Sequence, residues 1–156
     1  MNSIERFTAT LNQQAPDKVP IRVGNYNVLM THYYRISIKD YLENTDLNAE
    51  LFVRMVREFG LDSVKAGLGY ILYGCGPEMG PHWEFPEENF PAATRGVIDS
   101  EQDIDRFAIP PEPTGYFRNF LEINREVKAA IGSETHLGVS ILGPFSCAAF
   151  LSLLAS

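Results

Sequence analysis

At 156 residues, with 45% hydrophobic and 12% aromatic content, the chain is long enough to bury a real core and too apolar to stay disordered. A formal charge of -7, from 13 Lys and Arg against 20 Asp and Glu, together with the absence of a basic cluster, excludes a general nucleic-acid or anionic-membrane surface. No apolar run approaches a membrane span, Met1 to Arg6 lacks the apolar centre of a signal peptide, and Cys75 and Cys147 form no C-x-x-C pair, so a cytoplasmic protein without a disulfide framework is expected.

Ser3 is placed to cap a first helix whose Ile4, Phe7 and Leu11 recur at helical spacing. Val19-Pro20-Ile21-Arg22-Val23 reads as the first strand, with Pro20 near its start because an interior proline would remove a ladder hydrogen bond. The polar stretch Gly24-Asn25-Tyr26-Asn27 follows at its carboxyl end, and His32-Tyr33-Tyr34-Arg35 reads as a loop at a pocket mouth. Asp46 is the expected cap of a helix through Leu47, Leu51, Met55, Val56 and Phe59, stopped by Gly60. Leu61 to Gly67 then reads as a second strand, and a helix between two short strands is the signature of a parallel βαβ unit.

From Gly67 to Pro91 the density of glycine and proline predicts a long irregular segment, with Trp83, Phe85 and Phe90 embedded in it. Ser100 and Asp103 stand at capping-box spacing before a short helix through Ile104 and Phe107, which Pro110-Pro111-Glu112-Pro113 closes. Phe117, Phe120, Leu121, Ile123, Val127 and Ile131 mark one face of a long amphipathic helix stopped by Gly132. Leu137 to Leu142 is the third expected strand. Gly143 then allows a tight turn, and Pro144 is pre-set for the first position of an apolar helix.

Three strands joined by crossover helices form an α/β pattern that stops before its sheet is covered. The expectation is the N-terminal portion of a (β/α)8 TIM-type barrel, with residues 1–156 as one part of that domain. An uncovered strand edge calls for the rest of a barrel or a second copy, so a homo-oligomer is one expected arrangement; an intact three-layer domain is the other architecture compatible with the pattern. Ligands of parallel α/β folds bind at the carboxyl ends of strands. That places Asn25 and Tyr26 after the first strand, His32 and Arg35 in the following segment, Gly69 and Tyr70 after the second, and Phe145 and Ser146 after the third as the candidate substrate-binding residues. Ordinary loop or core roles account for any one of them singly. The sequence points to no catalytic residue, and His32, His82 and His136 have no metal-ligand spacing to one another or to the cysteines.

Asp17-Lys18-Val19-Pro20-Ile21, Glu58-Phe59-Gly60-Leu61-Asp62, Gly80 with Phe85-Pro86-Glu87 and Pro91, Ile98 with Glu101 and Asp103, and Gly143-Pro144-Phe145-Ser146 follow one another in an order that resembles the uroporphyrinogen decarboxylase family. That superfamily also holds the methylcobamide-dependent methyltransferases of coenzyme M and related thiols. The resemblance implies a (β/α)8 barrel with its site at the carboxyl ends of the strands.

Two departures turn it toward the methyltransferase branch. Decarboxylases of the family carry an aspartate just after the second strand, whereas no carboxylate stands here between Asp62 and Glu78. They also grip substrate carboxylates with arginines after the first strand, where this sequence offers only Arg22 and Arg35 in a different context. The direct Gly143-Pro144-Phe145-Ser146 joint is also closer to the methyltransferases. For the intact enzyme that branch implies zinc, held by a histidine and cysteines outside this chain, and a corrinoid carried on a partner protein that donates a methyl group to a thiol substrate. The alternatives are tetrapyrrole decarboxylation and a non-catalytic half-barrel.

Overall fold

The computed structural model describes residues 1–24, 26–67, 76–86 and 89–152, which fall into two compact units. The first unit takes Met1–Gly67 and Leu121–Ser140, and the second takes Leu68–Phe120 and Ile141–Ser156.

In the first unit, α1 (Ser3–Leu11) is capped not by Ser3 but by Asn2, whose side chain accepts from the Glu5 N–H while Glu5 reaches back to the Asn2 N–H. Ser3 is thereby released to donate to Asp62 at 2.9 Å. The expected first strand is reduced to one parallel bridge, Arg22 to Ser63. Pro20 has no N–H to give, and Ile21 spends its own on the Asp62 carboxylate at 2.9 Å. The segment expected as a loop is helical: α2 (Tyr26–Tyr34) and α3 (Ile38–Glu43), the latter capped by Ser37. Next comes α4 (Thr45–Phe59), whose cap is Asn44 rather than Asp46, accepting from the Leu47 N–H at 2.9 Å. Gly60, at φ 60°, ends it in the left-handed conformation.

The second strand is shorter than its apolar run, β1 (Ser63–Lys65). The two compact units share the helix Gly115–Ile131, whose later turns bury Ile123, Val127 and Ile131 within the first unit. The third strand begins earlier and ends sooner than Leu137 to Leu142. It covers His136–Gly138 and pairs parallel with β1 in the register Ser63 to His136, Val64 to Leu137 and Lys65 to Gly138. Val139 and Ile141 lie beyond it and are exposed. The neighbours in this sheet, the Arg22 bridge, β1 and the His136–Gly138 strand, stand in chain order and run parallel, so this is an α/β fold with parallel strands. Its core is Met30, Tyr41, Phe52, Met55, Val64 and the buried face of the shared helix.

In the second unit, the stretch expected to be irregular contains a 3-10 turn (Pro77–Met79) and an antiparallel hairpin of β2 (His82–Glu84) and β3 (Ala92–Arg95), with a register shift at His82 and Trp83. A short helix, α5 (Glu101–Arg106), carries the expected Ser100 and Asp103 capping box. With the shared helix numbered α6 (Gly115–Ile131) and the third parallel strand β4 (His136–Gly138), the last helix is α7 (Pro144–Ser152), with Pro144 at its first position. The Leu151 carbonyl near its end accepts from the N–H groups of Val97 and Ile98 at 2.8 and 3.0 Å. Trp83, Phe120 and Leu151 are buried here.

Candidate functional site

The amino ends of the parallel strands are closed by structure. Asp62, just before β1, accepts from Arg6, from Ser3 and from the Ile21 N–H, and its backbone N–H is given to the Ile21 carbonyl at 2.9 Å. Beside it the Ser63 hydroxyl lies 3.1 Å from His136 Nδ1, and the His136 ring stacks on Phe7 at 4.0 Å between centroids. A histidine that shares its ring nitrogen with a buried serine under an aromatic lid is a packing element, in agreement with its position entering a strand. By the general rule for parallel α/β folds the candidate ligand face is at the carboxyl ends.

At those ends the polar groups are arranged around β1. Tyr41, fully buried, donates its hydroxyl to Asn27 Oδ1 at 2.7 Å and lies 3.0 Å from the Gly67 carbonyl, joining the start of α2 to the exit of β1. Asn124 of α6 donates to the Ala66 carbonyl at 3.2 Å. Lys65, the last residue of β1, reaches across β4 and donates to Ser140 Oγ at 2.8 Å. Side chains alternate along a strand, so Lys65 shares its face with Ser63, while Val64 fills the core on the other. Gly138 makes this reach feasible: a Cβ there would lie 3.3 Å from Lys65 Cγ.

Of the residues singled out from sequence, Asn25, Gly69 and Tyr70 lie outside the described residues, and Tyr26 is described only as the first backbone position of α2. His32 is exposed in the last turn of α2. Arg35 follows that helix in the left-handed region at φ 55°, its N–H on the His32 carbonyl at 3.4 Å. Both are therefore parts of a helix end rather than of a loop. Phe145 and Ser146 sit in the first turn of α7 in the other unit, Phe145 87% exposed and Ser146 half-buried. Sequence reasoning missed Lys65, Ser140, Tyr41 and Asn124. A lysine inside a short strand of otherwise small and apolar residues was the one legible sign.

Gly143 also departs from expectation. It has no positive φ, and a side chain there would meet nothing within 4 Å, so the turn does not require glycine. Its carbonyl accepts from the Cys147 N–H at 3.0 Å, as the residue before a helix should. Cys147 is half-buried, its Sγ 3.8 Å from the Leu142 carbonyl, and Cys75 lies outside the described residues.

The second unit holds a cleft of about 390 Å³ walled by Met79, Ile109, Pro110, Pro111 and Phe117. Of the two glutamates that line it, Glu78 accepts from the Phe117 N–H at 3.1 Å. Among the described residues no three of His, Cys, Asp and Glu are grouped to hold a metal ion, and no helix is long and apolar enough to cross a membrane.

The family described as Uroporphyrinogen decarboxylase (URO-D) matches residues 2–152. No curated protein matches the sequence. Among solved structures, a methyltransferase from Methanosarcina mazei is similar over 97% of this chain, with a TM-score of 0.78 and 18% identity. The likeness is one of fold, and this chain spans 45% of the length of that one.

Proposed function

The chain belongs to the uroporphyrinogen decarboxylase family, and from that membership we propose that it forms the amino-terminal part of a (β/α)8 barrel enzyme that moves a methyl group from a methylated corrinoid protein to a thiol. The observation that carries this reading is the fold shared with a methyltransferase over 97% of the chain, within 45% of that protein's length. A run of neighbouring parallel segments in chain order is what the opening of a barrel requires. The missing carboxylate between Asp62 and Glu78 and the direct Gly143-Pro144 joint add sequence support.

The corrinoid protein would supply the methyl group as a cation equivalent and keep the bonding pair, while the thiol would release its proton to solvent and form the sulfur–carbon bond. The part this chain plays is to bind and orient the small-molecule substrate at the carboxyl ends of its strands, where Tyr41 and Asn124 fix the backbone at Gly67 and Ala66. Among the described residues no three of His, Cys, Asp and Glu are grouped to hold a zinc ion, so on this reading the ligands of a thiolate-holding metal would lie outside them.

The family's own description favours a second reading, decarboxylation of tetrapyrrole acetates. Arg22 lies in the parallel bridge and Arg35 at the end of α2, and either would serve as the carboxylate grip in that case.

The test is to express the protein from its complete reading frame and incubate it with a methylated corrinoid protein and a thiol. Thiol-dependent loss of the cobalt–methyl absorbance supports methyl transfer. No demethylation across a panel of thiols, with conversion of uroporphyrinogen instead, replaces it with the decarboxylase.

A further inference from the structure

We propose that Lys65, held by Ser140 and admitted by Gly138, is an anion-binding group that grips a carboxylate or similar oxyanion of the small-molecule substrate. The inference rests on the placement of the site at these strand ends, not on the reaction class. The Lys65 ammonium has one polar partner among the described residues, the neutral hydroxyl of Ser140 at 2.8 Å, and it takes part in none of their ion pairs.

An ammonium carries three donors and no acceptor. The serine takes one, and two remain for an oxyanion. The side chain is half-buried and its position is fixed twice, by the bond to Ser140 and by the passage over Gly138, where a Cβ would come within 3.3 Å of its Cγ. Less side-chain freedom then has to be lost when an anion is bound. Lys65 closes β1 and Ser140 follows β4 by two residues, so the pair bridges the exits of adjacent parallel strands. Its polar mate on the same strand face, Ser63, is closed off under α1 and His136, which leaves Lys65 as the charged group on the ligand side.

The experiment is a titration of the isotope-labelled protein with acetate and, separately, with the uncharged isostere acetamide, followed by NMR at the lysine ε-methylene and the backbone of Gly138 to Ser140. The expected result is a saturable shift of the Lys65 signal with acetate and none with acetamide. Lys65→Met should abolish it, Lys65→Arg should retain it, and Ser140→Ala should weaken acetate binding by about tenfold. Equal responses to acetate and acetamide, or an acetate response that survives Lys65→Met, would overturn the proposal. The comparison on the unaltered protein decides even if a variant fails to fold. A protein that binds acetate at Lys65 but transfers no methyl group loses the proposed reaction and keeps this site.

Discussion

The guanidinium of Arg6 in α1 is joined to the carboxylate of Asp62 at the entrance of β1, and both side chains are almost wholly removed from solvent, 8% and 1% exposed. Because Asp62 also holds Ser3 and the Ile21 N–H, this one carboxylate ties the first helix to the first two parallel segments. Removing one member of a buried pair strands the other. Asp62→Ala should cost about 3 kcal/mol, read as a lowered urea midpoint. Replacing Arg6 and Asp62 together by leucine should cost less than the sum of the two single changes.

The same cluster sets an acid limit. Burial alone would raise the Asp62 carboxyl, but the Ile21 N–H, Ser3 and Arg6 outweigh it and hold it below the usual carboxylate range. Asp17 is held lower chiefly by its hydrogen bond to Arg6. The folded protein therefore binds fewer protons than the unfolded chain at these sites, so their contribution is full above about pH 5 and falls away as acid protonates them. Urea midpoints measured from pH 7 downward should decline steeply below that point, and Asp62→Asn should flatten the decline.

An opposite sign governs the clasp between α2 and α4. Tyr33 and Tyr34 both donate to Glu58, at 2.7 and 3.0 Å, with Arg54 over the Tyr34 ring at 4.5 Å. Burial and then the Glu58 hydrogen bond push the Tyr34 phenol up to about 12, and Glu58 is the main cause of the rise at Tyr33. The fold favours the neutral phenols, so their contribution is full below about pH 10 and is lost as pH climbs toward 12. Tyrosinate absorbance should show these two rings titrating late in the native protein, and Glu58→Gln should bring both earlier.

Tyr41 offers a test of the site's scaffold. Tyr41→Phe keeps the ring in the core but withdraws the hydroxyl from Asn27 and Gly67, and should cost about 1–2 kcal/mol. Faster amide hydrogen exchange around Gly67, with helix content unchanged by circular dichroism, is the expected readout.

Two glycines should differ in their tolerance of a side chain. A Cβ at Gly96 would run into the Leu151 backbone, with the Leu151 carbonyl carbon only 2.8 Å away, where Val97 and Ile98 already bond the end of α7. A Cβ at Gly143 would meet nothing within 4 Å. Gly96→Ala should lower the thermal midpoint by several degrees, whereas Gly143→Ala should leave it nearly unchanged.

Sequence alone determined the elements whose signals are local and strong. The apolar spacing of α4 and α6, the Gly60 stop, the Ser100 and Asp103 box and the Pro144 start all act through neighbours a few residues away, and each is found where its chemistry places it. The parallel order of the strands was also readable, because a helix between short apolar runs has few other ways to cover them.

The tertiary structure decided what depends on distant partners. Val19 to Val23 has strand composition, yet Asp62 takes the Ile21 N–H and leaves a single bridge. The His82 to Arg95 hairpin forms across a stretch whose glycines and prolines hide its register, and residues Tyr26 to Tyr34 become helix where polar loop chemistry was expected. Least legible was the pairing of Lys65 with Ser140. The two stand 75 positions apart in the chain, and only the β1 and β4 register, with an open path over Gly138, brings the ammonium to the hydroxyl.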